Sequence, residues 1–125
     1  MVTTNDVFSG FSTDDLAAAK AFYGETLGFE VTESQNGLEV HAGGHALFVY
    51  PKPDHQPATY TALYLDVPDI DAAVDELVSA GVEILRYDGM QQDDKGIARG
   101  KAANRGPDIA WFTDPAGNII AVLNG

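Results

Sequence analysis

An internal repeat constrains this chain more than any other feature. Residues 15–31 (D-L-A-A-A-K-A-F-Y-G-E-T-L-G-F-E-V) parallel residues 69–84 (D-I-D-A-A-V-D-E-L-V-S-A-G-V-E-I), with an offset of 54 and a one-residue gap. In the first half, Val7–Thr13 reads as a strand. Ser12-Thr13-Asp14-Asp15 offers a hydroxyl cap with an acid behind it, and Leu16, Ala19, Tyr23 and Leu27 recur at helical spacing up to the stop at Gly28. Strands are predicted at Phe29–Glu33, Leu38–His41 and Ala46–Tyr50, with hairpin signals at Asn36-Gly37 and Gly43-Gly44.

The second half repeats this order. Thr61–Val67 reads as a strand, and Pro68-Asp69 opens a helix through Ile70, Ala73, Val74, Leu77 and Val78 that ends at Gly81. Val82–Tyr87 is predicted as a strand. Ile109–Thr113 and Asn118–Leu123 follow, joined by the turn Asp114-Pro115-Ala116-Gly117. Each half is β-α-β-β-β. The expectation is an α+β fold: one domain over residues 1–125, made of module 1 (1–53), a linker (54–59) and module 2 (60–125). Two such modules in tandem form curled mixed sheets around a cleft.

Composition narrows the function classes. At 125 residues and 45% hydrophobic the chain suits one folded domain. It has no cysteine, hence no disulfide, thiolate metal site or cysteine nucleophile. The N-terminus has no signal-like core and no apolar run approaches a membrane span, so a soluble, cytoplasmic protein is expected. The net charge of −12 disfavours nucleic acid and anionic membranes as partners and favours cationic ligands. The charge is uneven: −5 over residues 1–53, −9 over 54–94 and +2 over 95–125. Lys95, Arg99, Lys101 and Arg105 lie in one stretch of a polar segment, 88–107, that lacks periodicity. At that length it is a functional loop or hides a short strand, and its bases form a lid, a dimer contact or a solvated loop.

Three stretches, residues 15–31, V-P-D-I-D-A-A-V-D-E-L-V-S-A-G-V-E-I and W-F-T-D-P-A-G-N-I-I-A-V-L, together resemble the vicinal oxygen chelate superfamily, also called the glyoxalase/bleomycin-resistance/dioxygenase superfamily. The resemblance covers nearly all of the chain except 89–106. It implies a divalent metal held by one residue from each of four strands. Counted from the helix-opening aspartates and the hairpin glycines, those positions are Phe8, Phe48, Ala62 and Ala121 here. None has a lone-pair donor, and neighbouring registers do not restore the set. No metal and no other cofactor is expected.

Strand alternation from those four positions gives the expected cleft lining: Phe8, Phe48, Tyr50, Tyr60, Ala62, Tyr64, Asp66, Phe112, Ala121 and Leu123, accompanied by Gly10, Ala46 and Ile119. Phe112 is placed on the cleft face and Trp111 on the other, an assignment that assumes a four-residue turn at 114–117. His41 and His45, read as out of phase with the cleft, are expected at the surface, and His55 in solvent. The resulting expectation is a metal-independent, small-molecule-binding protein of the bleomycin-resistance type, a homodimer whose ligand is aromatic or cationic. The alternatives are a glyoxalase-like lyase or isomerase that uses side-chain acid/base chemistry, with Asp66 or a tyrosine, and a degenerate structural or regulatory module.

Overall fold

The computed structural model describes residues 1–125. The chain is α+β and divides into two compact units, Met1–Pro57 and Ala58–Gly125, here modules 1 and 2. No helix is long and apolar enough to cross a membrane.

In module 1, β1 (Ser9–Thr13) leads to α1 (Leu16–Ala21) and then β2 (Glu30–Ser34), β3 (Gly37–Ala42) and β4 (His45–Pro51). The sheet order is β1-β4-β3-β2, with β1 parallel to β4 and the other pairs antiparallel. The helix cap is Asp15, whose carboxylate accepts from the Ala18 N–H at 3.0 Å, and not the preceding hydroxyls. Thr13 Oγ1 accepts instead from the Asp15 N–H at 3.2 Å. The predicted helix is α-helical only to Ala21; Phe22–Thr26 widens into a π turn, with the Leu27 N–H bonded to Phe22 O. Gly28, at φ +76, then ends it. Ala19, Phe22 and Tyr23 pack on Leu38, Val40, Leu47 and Val49 to make the core.

Module 2 runs β5 (Thr61–Asp66), α2 (Ile70–Ser79), β6 (Ala98–Arg99), β7 (Asp108–Thr113) and β8 (Ile119–Asn124), in sheet order β5-β8-β7-β6. Asp69 caps α2 as Asp15 caps α1, accepting from Ala72 N–H at 3.1 Å. Ile70, Val74 and Leu77 bury against Ala110, Phe112, Ile120 and Val122.

The predicted strand Val82–Tyr87 does not form. That segment has one backbone bond to the sheet, Leu85 N–H to Trp111 O at 2.8 Å. The Gln92 side-chain amide takes the bonds a strand partner would supply. It donates to Leu85 O and Gly96 O at 2.9 and 2.7 Å, and accepts from Tyr87 N–H at 2.9 Å. The strand hidden in the 88–107 segment is β6, which pairs with Asp108 and Ile109 and so occupies the edge instead.

Candidate functional site

Residues opposed in a ladder share a face, so register sorts every side chain onto the helix-covered or the open face of its sheet. In module 1 the pairs Gly10↔Phe48 and Ser12↔Tyr50 place Phe48 and Tyr50 on the open face. The two rings stack at 5.8 Å with 19° between planes. Gly10 leaves space for nothing larger, since a Cβ would approach Phe48 O to 3.0 Å. Phe8, just ahead of β1, is 62% exposed. Glu39 stands opposite Phe48 and His41 opposite Ala46. His41 is therefore in phase with this face, contrary to the sequence reading, and pairs with Glu39 at 3.2 Å. His45 falls on the other phase. His55 is half-buried rather than solvated, with Nδ1 2.6 Å from Ser12 Oγ.

In module 2 the open face carries the row Tyr64↔Ala121↔Trp111 and beneath it Asp66↔Leu123↔Ile109. Small Ala121 is fully buried, flanked by two large rings, while Tyr64 is 60% exposed. The expected places of Trp111 and Phe112 are exchanged. Thr113 pairs with Ile119, not Asn118, so five residues separate the strands. The Asp114 carboxylate accepts from the N–H groups of Ala116 and Asn118 at 3.0 and 2.9 Å and holds that longer turn. One residue of slip turns every side chain over, so Phe112 lies in the core opposite Ile120 and does not line the open face. Ala62 sits at a bulge, which sets Thr61 opposite Ile119 and breaks the alternation expected from Tyr60 through Ala62 to Tyr64. Tyr60 precedes β5 and is 70% exposed.

A cavity of about 520 Å³ opens beside this row, walled by Trp111, Ile109, Tyr87, Met90 and Arg105. Tyr87 meets Trp111 edge-to-face at 5.4 Å. Sequence reasoning did not place these residues together: Tyr87 was assigned to a strand that does not form, and Met90 and Arg105 belong to the aperiodic segment. Its unusual length was the available signal.

That segment is not a free strap. Arg99 makes a two-pronged pair with Asp71 of α2, at 3.1 and 2.8 Å, and bonds Asp93 Oδ2 at 2.9 Å. Lys95 reaches Asp71 and Asp75 at 3.4 and 3.2 Å. The Arg99 guanidinium holds the Asp71 carboxyl down at about 2, and the same contact raises Arg99. Burial of Asp93 works to raise its carboxyl, but the Ile97 N–H and Arg99 outweigh it, and the net shift is downward.

The superfamily metal does not fit. The four positions that the resemblance assigns to it, Phe8, Phe48, Ala62 and Ala121, have no donor side chain, and no group of three or more His, Asp or Glu side chains is placed to hold an ion. The open faces instead set aromatic side chains beside a few polar groups, the Glu39–His41 pair in module 1 and Asp66 in module 2.

The family model of the Glyoxalase/Bleomycin resistance protein/Dioxygenase superfamily matches residues 7–122. Among solved structures, the chain is similar to TnmS3, an antibiotic binding protein from Streptomyces sp. CB03234, with 26% identity, a TM-score of 0.66 and 98% of both chains covered. It is also similar to a glyoxalase/bleomycin resistance protein from the same source, with 28% identity and a TM-score of 0.61 over 94% of this chain and 99% of that one. The fosfomycin resistance protein FosX of Listeria monocytogenes shares the fold, at 14% identity, with a TM-score of 0.72 over 99% of this chain and 95% of that one. No curated protein matches the chain significantly.

Proposed function

This chain belongs to the Glyoxalase/Bleomycin resistance protein/Dioxygenase superfamily, and we propose that within it the protein is a metal-independent binder of small aromatic molecules, of the bleomycin-resistance type. The observation that carries this reading is the Tyr64–Ala121–Trp111 row. Trp111 of that row also walls the cavity of about 520 Å³, where Tyr87, Ile109 and Met90 join it in giving a flat ring apolar surface to stack on. Ala121 of this row is one of the four positions that the resemblance assigns to the superfamily's metal, and none of the four has a donor side chain, so binding rather than metal chemistry is what these side chains support. The likeness to an antibiotic binding protein at 26% identity points the same way. Exposed Phe8, Tyr50, Tyr60 and Tyr64 supply apolar surface for a homodimer.

The test is native mass spectrometry of untagged protein grown with manganese, nickel, iron and zinc, followed by titration with flat polycyclic antibiotics. A metal-free dimer that binds such a compound is expected, with Tyr64→Ala weakening affinity tenfold or more. A stoichiometric metal adduct would overturn the reading, and so would a Tyr64→Ala protein that binds as the wild type does.

One observation favours a second reading, a lyase or isomerase that works by side-chain acid/base chemistry. Ser12 and His55 lie 2.6 Å apart, and Ser12 shares the open face with Tyr50. Turnover of small carbonyl compounds that is lost in His55→Gln would favour it.

A further inference from the structure

We propose that the Trp111 cavity of module 2 takes an aromatic molecule bearing an anionic group, a carboxylate or sulfonate, with the Arg105 guanidinium as its counter-charge. The proposal rests on the aromatic-ligand reading above and adds the charge class of the ligand, opposite in sign to what the net charge suggests.

The argument begins with where the seven basic residues go. Lys20 pairs with Glu33 and Lys52 with Asp54. Lys95 and Arg99 are tied to the acids of α2 and its loop. Arg86 donates to the carbonyls of Asp93 and Asp94, and Lys101 to Asn124 Oδ1. The Arg105 side chain alone has no hydrogen bond or ion pair, in a chain with 19 acidic residues.

The backbone that carries it is held in a bonded turn. The Arg105 N–H bonds Gly100 O at 2.8 Å and the Asn104 N–H bonds Lys101 O at 3.1 Å. The Lys101 N–H is held by Asp108 Oδ1 at 3.1 Å. Gly100 allows this closure, because a Cβ there would run into Pro107 O. The turn thus sets an unpaired guanidinium on the wall of an aromatic cavity of about 520 Å³.

A planar guanidinium matches a carboxylate or sulfonate in two-pronged geometry, and apolar walls strengthen such a pair. Asp88, also on the lining, repels an anion from the Tyr87 end and so directs it toward Arg105. The −12 of the whole chain acts at range and is screened by salt; a contact pair, even at exposed Arg105, is screened less.

Trp111 is the chain's only tryptophan, so its emission reports this cavity alone. The full-length protein is titrated with three probes of one shape and different charge: 2-naphthoate, 2-naphthylmethanol and 2-naphthylmethylammonium. Trp111 emission and calorimetry provide the readouts. The naphthoate is expected to bind about tenfold tighter than the alcohol, and the ammonium more weakly than either. Arg105→Gln removes the naphthoate's advantage and leaves the alcohol unchanged, whereas Arg105→Lys keeps part of it. Lys20→Gln, an equal change in net charge within module 1, moves none of the three.

Binding of the alcohol or the ammonium as tightly as the naphthoate overturns the charge assignment and leaves the aromatic-ligand reading intact. A naphthoate advantage that survives Arg105→Gln also overturns the assignment. If no probe perturbs Trp111, both readings fall at this cavity.

Discussion

In module 1 two residues, Gln35 and Asn36, carry the chain from β2 into β3. In module 2 β6 takes the edge place of β2, its connection to β7 runs over residues 100–107, and the wider stretch 88–107 holds that two-residue strand, an ion-pair cluster and one wall of a cavity. The open faces differ in the same spirit. Where module 1 sets Gly10, Phe48 and Glu39 across its sheet, module 2 sets Tyr64, Ala121 and Trp111, so small and large residues trade places. The helix starts, by contrast, are nearly superimposable in conformation. Asp15 and Asp69 cap at φ/ψ −146/98 and −143/102, each accepting from the N–H three residues on. A repeat can hold its scaffold constant while the face and one connection diverge into a site, because caps and core packing do not depend on what the opposite face carries.

The largest test of this contrast sets the hairpin end of module 1 against the 88–107 stretch of module 2. Gly37 has φ +151 and a Cβ there would run into Val49 O, whereas Gly89 has φ +78 with open space around it. Gly37→Ala combines overpacking with backbone strain and is expected to cost about 3 kcal/mol or more. Gly89→Ala, with strain alone, is expected to cost about 1 kcal/mol. Urea unfolding of the two variants measures the gap, and equal costs would erase the distinction between a tight hairpin and a roomy connection.

A smaller effect sharpens the likeness of the two starts. Asp15→Ala and Asp69→Ala should each destabilise by about 1 kcal/mol, and by the same amount within measurement, given their matched caps. A twofold inequality in thermal unfolding would show that the repeat equalises geometry but not energy.

The smallest expected effect belongs to module 2 alone. Asp71 has its carboxyl held at about 2, below the ordinary 3.8, by Arg99 and Lys95. A depressed carboxyl stabilises the folded arrangement fully above about pH 4, and that contribution is lost as pH falls from there toward 2. Trp111 emission should therefore change over that window as the 88–107 wall loosens, and Asp71→Asn should abolish the change. Emission that stays flat to pH 2 would mean the ion pairs do not hold the wall.

Much of this molecule was legible in order along the chain. The 54-residue offset, the glycine stops, the Gly43-Gly44 hairpin and the D-P-x-G-N turn each act over a few residues, and each formed where its signal lies. The candidate site was only partly legible. Phe48, Tyr50, Tyr64, Asp66, Ala121 and Leu123 lie on open faces as alternation indicated, while Phe112 does not and Ala62 sits at a bulge. The errors share a cause, since alternation carries a face assignment forward only until one residue is added. Asp114's carboxylate added one in the turn, and the Ala62 bulge added another.

Sequence by itself determined the α+β repeat, where the helices start, and the lack of donor side chains at the four positions that the resemblance assigns to the metal, because these follow from residue identity and order along the chain. Tertiary structure decided that Trp111 rather than Phe112 faces outward, that Gln92 stands in for a strand, and that Arg99 is consumed by three acids while Arg105 is left unpaired. The ion pairs depend on groups that meet across 20 and 28 residues of chain, and the other two outcomes on one side chain, Asp114 or Gln92, taking backbone bonds that a local pattern does not assign to it. Register and charge pairing are settled by competition among such distant partners, and no local pattern records which of them wins.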